Sequence, residues 1–134
     1  MNLRAFILRI KPSETDRVPE ALAENEIIIG WAKAKGLLNP SLTRVQFREI
    51  IRQTCYSVED KLQRSGAAAG HMWRFIREMN KGDLVVVPHQ SEFYVAEVEG
   101  PAIYDESKVT EDTAYRRPSK WLSGPLFLEL PLRF

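Results

Sequence analysis

Cysteine is nearly absent from this 134-residue chain, with Cys55 standing alone. One thiol cannot close an internal disulfide, and it is far too little for a cysteine-rich zinc site. It suits a reducing compartment, with Cys55 read as a small buried hydrophobe rather than a nucleophile. Histidine is equally sparse: His71 and His89 are the two present, and neither has a partner at ligand spacing. His-x-x-x-His, Cys-x-x-Cys and Asp-x-Asp-x-Asp-Gly patterns are missing, so neither a metal nor another cofactor is expected. The chain also lacks the Gly-x-x-x-x-Gly-Lys and Gly-x-Gly-x-x-Gly phosphate loops and the Gly-x-Ser-x-Gly elbow. No apolar run approaches the roughly 18 residues that span a bilayer. The expectation is a cytoplasmic protein with no membrane partner. Charge of one sign is lacking too: 19 Lys+Arg against 18 Asp+Glu leave a formal charge of +1. Bulk positive charge therefore cannot drive tight nucleic-acid binding. Any such role must rest on a local basic edge and a shaped site.

What is present is ordinary for a globular chain: 44% apolar and 28% charged residues. The length fits a single domain, 1–134, able to bury a core without disulfide or metal staples. The chain stops at Phe134 directly after an apolar segment, and is read as the N-terminal module of a larger protein.

Leu3–Ile10 has arginines inside an apolar stretch and reads as a first strand rather than a signal peptide. Val18–Glu24 is a short helix with Pro19 in its first turn. Glu26–Trp31 is a β-branched run closed at Gly30-Trp31, which favours a buried strand. After a loop at Lys33–Pro40, a helix begins near Ser41–Thr43, where Thr43 and Gln46 have capping-box spacing. Ser57-Val58-Glu59-Asp60 is a second, weaker start. Ala67–Asn80 has the clearest helical pattern: Met72, Phe75, Ile76 and Met79 share one face, and Gly82 sits where a left-handed cap would end it. Asp83–Pro88 and Phe93–Glu99 are hairpin strands around a turn at His89-Gln90-Ser91-Glu92. Tyr104–Lys120 is polar and expected to be loop-rich, with closing strands at Trp121-Leu122 and Leu126–Leu130. Strands around a few helices give an α+β fold with a small curved or closed sheet.

Catalytic chemistry finds little support. Glu106-Ser107-Lys108, with Asp83 upstream, and Glu59-Asp60-Lys61 imitate half of a carboxylate–lysine nuclease site, in which paired acids hold a divalent ion. Neither offers paired strand geometry converging on one ion. The expectation is a non-enzymatic domain. The aromatics say more. Trp31 ends a strand at a corner, and Trp121 follows the basic run Tyr115–Lys120. Such rings can wall a flat pocket or simply pack. Trp73, on the central helix, is read as packing.

Several fragments together carry a resemblance. Ile29-Gly30-Trp31, Ala68-Ala69-Gly70-His71-Met72-Trp73-Arg74-Phe75-Ile76, Lys81-Gly82-Asp83, Val95-Ala96-Glu97-Val98 and Lys120-Trp121-Leu122 resemble, in order and spacing, EVE-type domains of the PUA-like superfamily, which are related to YTH readers. The narrower likeness is to the amino-terminal modules of modification-dependent restriction endonucleases. Two departures stand out: Lys-Gly-Asp lacks the spacer of the family's Lys-x-Gly-Asp, and His71 stands where the family has Gln. That second change alters hydrogen bonding and pH response.

The resemblance implies a PUA-like small β-barrel with flanking helices. It also implies a reader of double-stranded DNA that flips a modified base, commonly methylated adenine or cytosine, into an aromatic pocket and targets a restriction or defence effector. The expected pocket has Trp31 and Trp121 as walls and Tyr94 as a third. His89 and Ser91 would read the base edge or the backbone, and His71 would stand in the place of Gln. Arg64, Arg116, Arg117 and Lys120 would contact phosphates. Two alternatives stay open: a PUA-like RNA binder, and a protein or small-ligand interaction module on the same fold.

Overall fold

β-Branched and alternating segments supply the sheet, and their pairing brings the two halves of the chain together. In the computed structural model, which describes residues 4–56 and 62–127, β1 (Ala5–Ile7) runs parallel to β3 (Leu84–His89), with Phe6 opposite Val85. A parallel pair needs a crossover, and helices fill it. β3 turns through Gln90-Ser91 into β4 (Glu92–Val98), an antiparallel hairpin. β6 (Tyr115–Trp121) then lies between β4 and β2 (Glu26–Ile29). β5 (Ile103–Tyr104) adds to β6, and β7 (Leu126–Phe127) to β4. The sheet order is β1-β3-β4-β6-β2, curled into a half-barrel and accompanied, among the described residues, by three α-helices.

α1 (Val18–Glu24) matches the expected helix and ends at Asn25, whose left-handed φ of 55° returns an N–H to the carbonyl of Ala21. α2 (Arg44–Cys55) starts on the expected capping box. The Thr43 hydroxyl accepts from the Gln46 amide at 3.1 Å, and the Gln46 side chain accepts from the Thr43 amide at 2.9 Å. α3 (Leu62–Trp73) begins earlier than its apolar stripe suggests and widens into a π turn at Arg74–Glu78. Its Met72, Phe75 and Met79 join Phe47 and Ile51 of α2 in one core with Ile27, Ile28, Val85 and Val87. Gly82, at φ +95°, serves the turn into β3 rather than the helix end. Trp73 packs, as expected, edge-on to Phe47 at 5.2 Å.

One expectation fails outright. The segment read as loop-rich contains β6, a central strand with Tyr115, Arg116, Arg117 and Ser119 buried. Its arginines find their hydrogen-bond partners inside the protein, which lets a polar sequence occupy the sheet's middle. Arg116 bonds the carboxylates of Glu20 and, at 3.2 Å, Glu26, and donates to the Thr113 carbonyl. Arg117 donates to the carbonyls of Phe75, Met79 and Gly100 at 2.8–3.0 Å. It thereby serves the carbonyls that the π turn leaves free. The start read at Ser57–Asp60, the Glu59-Asp60-Lys61 fragment and Leu128–Leu130 lie outside the described residues. Among those described, no helix is long and apolar enough to cross a membrane.

Candidate functional site

The Ile29-Gly30-Trp31 corner joins an uncommon backbone conformation to a knot of side-chain contacts. β2 ends at Ile29, and Trp31 then adopts φ 61°, a left-handed conformation that suits glycine and disfavours a bulky side chain. Such strain costs on the order of 1–3 kcal/mol and persists only where the surroundings over-determine it. Here they do. The Trp31 indole N–H donates to the Tyr56 hydroxyl at 2.8 Å, and the next amide, of Ala32, donates to Asp112 at 2.7 Å. Asp112 also accepts from the Ser13 hydroxyl at 2.8 Å. Gly30 lies beneath this knot: a Cβ there would meet Asp112 Oδ2 at 2.9 Å and Pro12 Cβ at 3.2 Å. Ser13, Glu14 and Asp112 share the positive φ of Trp31, so four such residues gather at one place.

Two clefts meet at this corner, sharing Arg9, Ile29 and Trp31. The narrower, about 400 Å³, is lined mainly by apolar side chains, among them Phe6, Ile7, Leu8 and Phe75, with His71 and Arg74 at its edge. Ile7 is 79% exposed there, a large apolar group offered to solvent. The His71 ring is nearly parallel to Trp31, with centroids 6.2 Å apart and planes 11° apart. His71 Nδ1 lies 3.0 Å from Arg74 Nη2. Arginine has only donors to give, so Nδ1 accepts and the neutral ring carries its proton on Nε2. Burial, and then the Arg74 charge, hold the imidazole below its ordinary pKa. The wider cleft, about 660 Å³, is polar and includes Arg9, Lys11, Lys33, Thr54 and Tyr56. Half-buried Cys55 lines it as well, with its sulfur 3.5 Å from the Thr54 hydroxyl.

The residues expected to form one pocket are divided between two places. Trp31 and His71 come together. Trp121, Tyr94 and His89 form a separate group: Trp121 meets Tyr94 edge-on at 6.0 Å, and Tyr94 lies 6.2 Å from His89. The Trp121 indole N–H donates to the Ala21 carbonyl, and His89 Nε2 is 2.7 Å from Asp16. Ser91 is exposed at the hairpin tip. Register explains the division. Ile29 lies opposite Tyr115, at one end of β6, and Trp121 is at the other. At about 3.3 Å per residue the strand separates them by roughly 20 Å. Trp31 and Trp121 therefore do not wall one pocket.

The phosphate contacts need the same correction. Arg116 and Arg117 are 3% and 4% exposed and fully engaged inside the protein, so neither meets a partner's phosphates. Arg64, on α3, and Lys120, on β6, are exposed. The carboxylate–lysine fragment at Glu106 is an ion pair of Glu106 with Lys35, while Asp83 bonds Asn80 and Arg4. No cluster of three or more His, Cys, Asp or Glu fit to hold a metal ion occurs among the described residues. Tyr56, Arg9, Lys11 and Lys33 escaped sequence reasoning. The arginine inside the first strand was the one signal that pointed towards them.

A family described as a domain of unknown function (DUF8426) matches residues 7–128 of the chain. No curated protein and no solved structure matches it.

Proposed function

The chain belongs to that family of unknown function, and from its corner site we propose that it is a DNA-binding reader of a modified, methylated base. On this reading the half-barrel with its helices is a PUA-like fold. A base swung out of the duplex stacks on Trp31 in the apolar cleft, and the domain directs a restriction or defence effector without catalysis of its own. The observation that carries the reading is Trp31 itself, a strained tryptophan fixed by Tyr56, facing His71 and bordering the apolar cleft. Trp31 is only partly buried against the core, which leaves its ring to border the cleft. Flipping costs a few kcal/mol. Stacking on an aromatic face returns about 1–3 kcal/mol. The walls from Phe6, Ile7 and Leu8 favour an added methyl, worth about 0.8 kcal/mol when buried, or about fourfold in affinity.

Matched duplexes with and without N6-methyladenine or 5-methylcytosine, titrated by fluorescence anisotropy, test this. The methylated member of one pair binds at least about fourfold tighter. Trp31→Ala weakens that complex by about 5- to 150-fold, the equivalent of the lost stacking. Equal affinity across every pair rejects the reading. A preference for the matching RNA moves it to the RNA-binding alternative.

A further inference from the structure

The wider cleft beside Trp31 carries charge that the reading above does not use. Resting on that reading, we infer that this cleft is the seat of the nucleic-acid backbone, with Arg9, Lys11 and Lys33 taking the phosphates that flank the recessed base. Arg9, Lys11 and Lys33 are exposed. None of them makes an ion pair among the described residues, so all three charges are available to a ligand. The cleft's carboxylates offset them only in part. Asp112 is turned inward to the Ala32 amide and the Ser13 hydroxyl, which leaves Glu14 at the rim. Tyr56 accepts the Trp31 indole N–H, so its own hydroxyl proton is left to donate into the cleft.

Placement completes the case. Arg9, Ile29 and Trp31 line both clefts, so the tryptophan stands as a ridge with an apolar slot on one side and a cationic trough on the other. A nucleotide has that same division, with a flat apolar base joined to an anionic backbone. The left-handed residues Ser13, Glu14, Trp31 and Asp112 fix the ridge and the trough's rim before any ligand arrives. The expected basic edge thus passes from the buried Arg116 and Arg117 to surface residues near the Tyr115 end of β6.

The test is the salt dependence of affinity for the methylated duplex, measured with wild-type protein, the triple variant Arg9→Gln/Lys11→Gln/Lys33→Gln, and Lys81→Gln as an exposed control. Each phosphate neutralised contributes about 0.9 to the slope of log K against log salt. The triple variant loses about 2 to 3 from that slope and weakens equally for methylated and unmethylated duplexes, while Lys81→Gln keeps the wild-type slope. Trp31→Ala does the converse, keeping the slope and losing discrimination. A triple variant with the wild-type slope overturns the cationic trough, and if its methyl preference is intact the base-reading proposal still stands. A lowered slope without methyl preference in the wild type supports the trough and rejects the base reading.

Discussion

At the scale of single residues, His71 has its proton placed by a neighbour. Its Nδ1 accepts from Arg74, and burial followed by the Arg74 charge lowers its pKa. A base with a lowered folded-state pKa binds protons less readily folded than unfolded. Its contribution is therefore complete above the ordinary value of about 6.5 and is lost as pH falls towards the folded value. NMR titration should place His71 below an unstructured histidine, and Arg74→Gln should raise it part of the way back. An unshifted His71 refutes the assignment. Sequence reasoning singled out His71 and Trp31 through short motifs at a strand end and on a helix. It missed Tyr56, because the contact with Trp31 crosses between elements and leaves no spacing to read, and it passed over Arg74 although the pair with His71 has i,i+3 spacing.

At the scale of elements, β6 shows why hydrophobic pattern misleads. Tyr115-Arg116-Arg117-Pro118-Ser119-Lys120 reads as a solvated basic run. Two carboxylates and several backbone carbonyls bury its arginines. α2 was legible to its capping box because that motif is local, and α1 was legible to both ends. The extent of α3 was not, since its amino-terminal half is rich in alanine and glycine and carries no strong stripe.

Glu20 ties α1 to this strand. Burial opposes its ionisation, but the hydrogen bond and charge of Arg116, with Lys108 and Arg17, outweigh that and lower its pKa. A carboxyl depressed in the fold stabilises above its unfolded pKa and ceases to do so as pH falls through the folded value. Glu20→Gln should therefore cost about 1.5–3 kcal/mol at neutral pH, the range for a hydrogen bond to a charged group, with Glu26 left as the remaining partner of Arg116. Denaturant melts of the variant should also lose part of the wild type's decline below about pH 4. A melt unchanged at pH 7 contradicts this role.

At the scale of the whole molecule, two aromatic groups occupy opposite ends of one strand, and they are expected to separate functionally. Trp121 holds Tyr94 and the Ala21 carbonyl, so Trp121→Phe should lower thermal stability and leave any methyl preference in the duplex titration unchanged. Loss of that preference in a folded Trp121→Phe protein would return Trp121 to the recognition site. The near-neutral charge also takes a definite meaning here. Positive charge is gathered beside Trp31 while two arginines are spent inside the sheet.

The position of β6 also governs how the chain can fold. It joins β2 on one edge, with Glu26 opposite Pro118, and β4 on the other, with Val98 opposite Ser119. β2 therefore waits for a partner some ninety residues later in the chain, and the sheet closes only when that segment arrives. Until then the apolar Ile27-Ile28-Ile29 edge lacks its hydrogen-bonding mate. Pairing this non-local slows folding and leaves an apolar strand exposed to aggregation until it is made. The Trp31 corner hangs from the end of β2, so its fixed geometry depends on a segment that lies far later in the chain.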